Sequence, residues 1–306
     1  MTQMHADEVH TDTALVRALL AAQFPQWAQL PIDPVPSSGT DHALYRLGDH
    51  RVVRLPRIHW AVEQVAKEQR WLSSLAPHLP LPIPLPIGLG KPDLGYPWQW
   101  SVYRWLDGEA VTPVRVPELA SAAIDLGQFI AALHRIDAVG GPPPGAHNSK
   151  RGESLAVRDR ETRQAIAVLQ DEIDGAAATA AWEAALRAPA WPGPPVWVHG
   201  DLTASHLLAR NGRLSAVIDF GCLGVADPAV DMMIAWELLA PVRAAFRAAL
   251  AVDDATWARG RGWALTTALV ALPYYRDTNP TLVASARQRI DAVLADQALQ
   301  ASPGLR

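Results

Sequence analysis

The chain has 306 residues, 49% of them hydrophobic, a formal net charge of −4 and one cysteine, Cys222. That length and apolar content suffice for one large domain or two lobes, and the acidic balance excludes the basic footprint of a nucleic-acid-binding protein. A lone cysteine permits no disulfide within the chain and fits a reducing compartment. Apolar runs stop well short of the roughly 18–20 residues of a membrane span. The first residues, with Asp7, Glu8 and Asp12, lack the basic region of a signal peptide. The expected setting is the cytoplasm, with neither a membrane nor a nucleic acid as partner.

Residues 12–28 carry the apolar spacing of an amphipathic helix (Leu15, Leu19, Ala22, Phe24), ended by Pro25. Pro31 to Pro36 reads as a linker. Alternation over 43–47, a turn at Gly48-Asp49 and the return run Val52-Val53-Arg54-Leu55 predict a β-hairpin. The turn ahead of it carries Ser38 and Gly39, and such a turn can lay backbone N–H groups over phosphates or be an ordinary β-turn. A helix is expected over 60–76, stopped by Pro77. The stretch 78–86 is proline-studded and extended, and 87–96 holds Gly/Pro turns. Trp98 to Leu106 alternates large residues as a strand, broken at Asp107-Gly108-Glu109.

A long helix is expected over 117–136, with His134 as a contact at its end, then a loop at 140–145. Residues 160–188 read as further alanine-rich helix with Asp171, Glu172 and Asp174 exposed or facing a cleft. Asp227 ahead of Pro228 is a good N-cap for a helix over 228–240. Helices at 242–251, 254–272 and 280–300 follow. The connection from Leu272 to Pro280 carries Tyr274, Tyr275 and Asp277, side chains suited to a polyhydroxylated or cationic ligand.

The chemistry concentrates between Val196 and Gly221. The runs Val196-Trp197-Val198 and Leu214 to Ile218 are short enough to be buried strands. Each ends at a carboxylate in a turn, His199-Gly200-Asp201 and Asp219-Phe220-Gly221, and Asn211-Gly212 between them is a hairpin signal. Paired acids beside a histidine suit two tasks: holding a divalent cation and orienting a hydroxyl that must lose its proton.

The pattern His199-Gly200-Asp201, His206 five residues on, then Ile218-Asp219-Phe220-Gly221 resembles the catalytic and metal loops of the aminoglycoside phosphotransferase family. The resemblance extends to Asp227-Pro228-Ala229-Val230-Asp231 and covers residues 37–300. It implies a bilobal, protein-kinase-like α+β fold: a small antiparallel-sheet lobe over 1–103, a hinge at 104–106 and a mostly helical lobe over 107–306. It further implies transfer of the γ-phosphoryl group of ATP or GTP to a hydroxyl of a small molecule of the aminoglycoside-antibiotic type. Asp201 would serve the acceptor hydroxyl, while His206 and Asp219 would hold Mg²⁺ or Mn²⁺.

In such folds a cation on the third strand pairs with a helical Glu and grips the phosphates. With only Lys67, Lys91 and Lys150 in the chain, that cation is expected to be Arg54 and its partner Glu68; Glu63 is the alternative, and Arg57 is displaced beyond Pro56. Ser38, Gly39, Tyr103 and Trp105 would meet the nucleotide, and His199 and Asp231 would brace the catalytic loop. Asp227, Glu237, Tyr274, Tyr275 and Asp277 are candidate acceptor contacts. Two positions depart from the family's usual Asn and Lys, namely His206 and Arg54. Some macrolide phosphotransferases also carry His at the first, which makes a GTP-using macrolide kinase one alternative; a metabolic small-molecule kinase is another, and the paired departures make a silent nucleotide-binding protein the third.

Overall fold

Asp12 opens the first helix by accepting the Leu15 N–H at 2.8 Å, and α1 (Thr13–Gln23) buries Val16, Leu19 and Leu20. The computed structural model describes residues 7–36, 39–112 and 114–301, so the expected phosphate-loop residue Ser38 lies outside the described residues. The helix stops at Gln23 rather than at 28, because Pro25 begins a separate 3₁₀ turn, Pro25–Trp27.

Part of the expected linker is a strand. β1 (Ile32–Pro34) pairs antiparallel with β2 (His42–Leu47), and Pro34 is tolerated because β1 is an edge. β2 and β3 (Arg51–Pro56) form the expected hairpin. The helix α2 (Val62–Leu75) follows. β4 (Pro86–Gly90) replaces the expected turns, and β5 (Trp100–Arg104) completes a five-stranded antiparallel sheet in the order β1-β2-β3-β5-β4. β4 was hidden by its proline and glycines. Gly90 is needed there, since a Cβ would lie 2.0 Å from the Trp100 ring.

The second half is mostly helical. It holds β6 (Glu109–Ala110), α3 (Leu119–Arg135), α4 (Asp159–Val168) and α5 (Gly175–Leu186). The helix expected over 160–188 is therefore two, with Asp174 capping the second through the Ala177 N–H at 2.9 Å. β7 (Val196–Val198), β8 (Leu207–Arg210), β9 (Arg213–Val217) and β10 (Gly224–Ala226) make two small sheets, β10-β7 and β6-β8-β9. A 3₁₀ helix, Pro228–Trp236, stands where an α-helix over 228–240 was expected, and all its residues are buried. Its apolar residues run all round, as befits a central element. α6 (Arg243–Leu250), α7 (Asp254–Tyr275) and α8 (Pro280–Ala301) close the chain. α7 runs through Pro273, so Tyr274 and Tyr275 sit on its last turn and not in a loop.

Two interiors result. α1 and the sheet share one, built on Leu19, Tyr45, Val53 and Trp100. The larger one runs through the helical part and takes in Leu72 and Leu75 from the end of α2. The architecture is the expected α+β arrangement of a small antiparallel sheet beside a larger helical part. No helix among the described residues is long and apolar enough to cross a membrane.

Candidate active site

The turn after β7 is held from beneath. Asp231 has no exposed surface and accepts the Gly200 N–H at 2.8 Å and the His199 N–H at 3.2 Å. His134 Nε2 lies 3.1 Å from the same carboxylate, so this residue belongs to the brace and is more than a helix-end contact. Gly200 has φ +82°, and a Cβ there would meet the Cys222 carbonyl oxygen at 2.6 Å; only glycine lets the two loops approach. His199 Nδ1 accepts the Asp201 N–H at 3.2 Å, which leaves Nε2 to donate to the Ile218 carbonyl at 3.0 Å. These two bonds set the tautomer, and burial holds the imidazole below its ordinary pKa. His199 thus fastens Asp201 to the turn that carries Asp219.

Asn211 and Gly212 take φ values of 55° and 77° as the two-residue turn between β8 and β9, as the sequence predicts. The hairpin returns the chain to Asp219, itself left-handed at φ 62°. Asp219 Oδ1 accepts from Arg54 Nη2 at 2.8 Å, leaving Oδ2 facing His206 Nε2 at 3.5 Å. His206 Nδ1 donates to the Asp201 carbonyl at 2.7 Å, so in the neutral ring the Nε2 lone pair is the one turned toward Asp219. Burial opposes protonation of His206, but the Asp219 and Asp201 charges outweigh it and raise its pKa. Burial likewise works against ionised Asp219, yet Arg54 and then His206 hold its carboxyl well below the usual carboxylate range.

Arg54 and Glu68 meet as expected, with Nη1 2.7 and 2.6 Å from the two carboxylate oxygens. Glu63 is exposed and is not the partner. Tyr103 differs from expectation: its hydroxyl donates to Glu68. The N–H groups of Arg104 and Trp105 bond to the Leu85 and His50 carbonyls, so these two hinge donors do not point at a nucleobase.

Two cavities meet at this cluster. One of about 360 Å³ lies between the sheet and the helical part, walled by Val35, Leu44, Val52, Tyr103, Trp105 and Leu106. The other, of about 240 Å³, contains Asp201, Arg151, Tyr275 and residues of α8. Gly39, Leu44, Arg54, Ser205, His206 and Asp219 border both.

Residues 34–263 match the APH phosphotransferase enzyme family. The chain belongs to that family. Among curated proteins no match was found. The fold is similar to that of the GDP and kanamycin complex of APH(2")-IIia, with 18% identity, a TM-score of 0.71 and coverage of 93% of this chain and 99% of that one. Macrolide 2'-phosphotransferase type I is similar at 22% identity and TM-score 0.59, covering 92% and 98% of the two chains. Macrolide 2'-phosphotransferase MphH from Brachybacterium faecium is similar at 26% identity and TM-score 0.54, with 91% and 97% covered. The kinase-like fold of the aminoglycoside phosphotransferases is the fold of this chain.

Several acceptor candidates are placed elsewhere in this phosphotransferase. Asp227 caps the 3₁₀ helix and pairs with buried Arg259 at 2.7 and 3.1 Å, away from both cavities. Glu237 is buried, ion-paired with Arg289, and accepts the Ala204 N–H at 3.2 Å; it supports the loop after Asp201 and is not an open contact. Tyr275 borders the smaller cavity, its hydroxyl 3.3 Å from Thr40 Oγ1. Tyr274 and Asp277 are exposed and line neither cavity.

Two residues carry no sequence signal. Arg151 Nη2 lies 3.2 Å from Asp201 Oδ1. Lys67, buried on α2, donates to the Gly221 carbonyl at 2.7 Å and the His147 carbonyl at 3.2 Å, and burial pushes its ammonium down to about 8. It ties the helix of Glu68 to the turn of Asp219. Lys67→Met is expected to lower kcat and raise the nucleotide KM together, roughly tenfold or more, since small misplacements are costly in positioned reactions. Steady-state kinetics with a melting-temperature control checks this; a lower melting temperature with unchanged kinetics would make Lys67 purely structural.

Proposed function

We propose that this protein transfers the γ-phosphoryl group of ATP or GTP to a hydroxyl of a small molecule. One observation carries the reading: the two cavities join at Arg54, His206 and Asp219, while Asp201 lines only the smaller. A nucleotide in the larger cavity, over Gly39 and against Trp105 and the ring of Tyr103, ends at that junction. Residues 104–106, which join the sheet to the helical part, serve as the hinge. An acceptor in the smaller cavity brings its hydroxyl to Asp201, which orients it and takes its proton. Arg54, held by Glu68, supplies positive charge where the phosphates lie.

His206 Nε2 and Asp219 Oδ2 are the atoms that would hold Mg²⁺ or Mn²⁺. Among the described residues no group of three or more His, Cys, Asp or Glu is placed for a metal, which suits a cation completed by phosphate oxygens and water. Bound there, the cation would neutralise charge on the phosphates. Kanamycin appears in one similar structure and macrolides name two others; this chain's transfer is read as the same class of chemistry in a cytoplasmic setting. Nucleoside diphosphate release that depends on a hydroxyl compound is the expected result with ATP or GTP. Failure to bind either Mg-nucleotide would overturn the reading, and binding without turnover on any acceptor would favour a silent nucleotide-binding protein.

His206 makes the metal step pH-dependent. Its raised pKa means that, without metal, it stabilises the fold below the unfolded value of about 6.5 and loses that contribution as pH rises through the folded value. A metal needs the neutral ring, so protons compete with it. Mg-nucleotide affinity is expected to fall on acidification from above pH 6.5, and His206→Asn should flatten the dependence while keeping activity. Mn²⁺ should support the native protein relatively better than the variant, imidazole being the softer ligand. Parallel pH profiles and an unchanged Mn²⁺/Mg²⁺ ratio would remove His206 from the ligand set.

A further inference from the structure

The charge around the smaller cavity bears on the acceptor, an inference that rests on the proposed function. The wall furnished by α7 and α8 contains no carboxylate: Ala268, Ala271, Leu282 and Ala286 make it apolar, and Thr267 and Ser285 add hydroxyls. Its one charged group, Arg289, is ion-paired with Glu237. The carboxylates nearer the reacting end are hydrogen-bonded, and Asp219 and Asp201 are paired with cations. Asp219 meets Arg54 at 2.8 Å, and Asp41 accepts from the Thr40 hydroxyl at 3.0 Å and the Gln64 amide at 3.4 Å. Asp201 itself meets Arg151 at 3.2 Å, the two side chains 30% and 16% exposed. Beyond the wall, Glu172 is engaged by both Arg276 and Arg287.

A ligand bearing several ammonium groups needs carboxylates that are not already compensated, because a desolvated cation without a partner is strongly disfavoured. This cavity offers none on its α7–α8 wall, and Arg151 sets a fixed positive charge beside the place where the hydroxyl must sit. An ammonium on the carbon next to that hydroxyl would face Arg151 directly. We propose that the acceptor is an uncharged hydroxyl compound with an apolar face, and that Arg151 is the specificity-determining residue that turns away cationic acceptors. The apolar face lies on α7 and α8. The acceptor oxygen bonds to the γ-phosphorus as the bond from that phosphorus to the β–γ bridging oxygen breaks. The nucleoside diphosphate leaves with the electron pair, and the hydroxyl proton passes to Asp201.

Calorimetric titration of the full chain at physiological ionic strength tests this without knowing the natural acceptor. Mg-ADP and Mg-GDP are titrated first; absence of binding overturns the proposed function and with it this inference. The nucleotide-loaded protein is then titrated with kanamycin, a polycationic glycoside, and with monomeric octyl glucoside, an uncharged glycoside with an apolar tail. Octyl glucoside is expected to bind at least tenfold more tightly than kanamycin. Arg151→Gln should raise kanamycin affinity by at least threefold, and Arg151→Lys, which keeps the charge, should preserve the native ratio. Kanamycin binding as tightly as octyl glucoside, no binding of either probe to nucleotide-loaded protein, or a kanamycin affinity indifferent to Arg151→Gln would each overturn the proposal.

Discussion

Asp201→Asn is expected to lower kcat by about 10²–10⁴-fold, the range of positioned general acid–base groups, with Mg-nucleotide affinity unchanged. The substitution keeps the size of the side chain, and His206 bonds to the backbone carbonyl of residue 201, so the junction survives. What disappears is a carboxylate that lines the smaller cavity without bordering the larger one and that pairs with Arg151. Acceptor-dependent turnover measured beside calorimetric nucleotide binding separates the two effects. Near-normal turnover would remove Asp201 from the mechanism.

Arg54→Ala should be nearly as damaging, by a different route. Arg54 holds Glu68 with one nitrogen and Asp219 with the other, so its loss raises the nucleotide KM and lowers kcat together. It also strands Glu68, which is 2% exposed; breaking a buried pair from one side costs about 3–5 kcal/mol, visible as a fall in unfolding midpoint. Without Arg54 the Asp219 carboxyl loses the strongest influence holding it low. Its stabilising contribution, present above the unfolded carboxylate pKa, would then be lost at a higher pH on acidification. Arg54→Lys should retain part of the activity, since charge survives but the two-nitrogen fork does not. Arg57→Ala should do little, because Arg57 lines neither cavity. If Arg57 proves the sensitive position, the nucleotide lies differently from the way proposed above.

What was legible in the sequence was local. The hairpin of β2 and β3, the Asn211-Gly212 turn and the two acid-bearing loops each lie within a few residues of their own signals. Arg54 and Glu68 followed from resemblance and from the scarcity of lysine. Distance along the chain defeated the rest. Asp227 and Glu237 look like available acids until Arg259 and Arg289, far downstream, are seen to neutralise them. Arg151 reaches Asp201 from a loop fifty residues earlier that bears no motif. The break between α4 and α5 was silent because alanine favours helix on both sides; Asp174 is exposed, as expected, but its role as the cap of α5 was not foreseen. β4 was lost to its proline and glycines, of which Gly90 makes room for Trp100 and Gly88 for Phe24.

The division of the two interiors has a mechanical consequence. Leu72 and Leu75 root the end of α2 in the helical part's interior, which also takes in Tyr103 of β5, while most buried residues of the sheet close against α1. On the function proposed above, a sheet that shifts during nucleotide exchange would strain against a helix whose end is packed in the helical part. Polar ties join α2 to the sheet side: Arg54 and Tyr103 to Glu68, Gln69 to Gly88 and Ser101, and Gln64 to Asp41 just ahead of β2. Glu68 thus acts as a latch between β3, β5 and α2, and, on the function proposed above, its bonds are among those that any shift of the sheet along the helix would have to break.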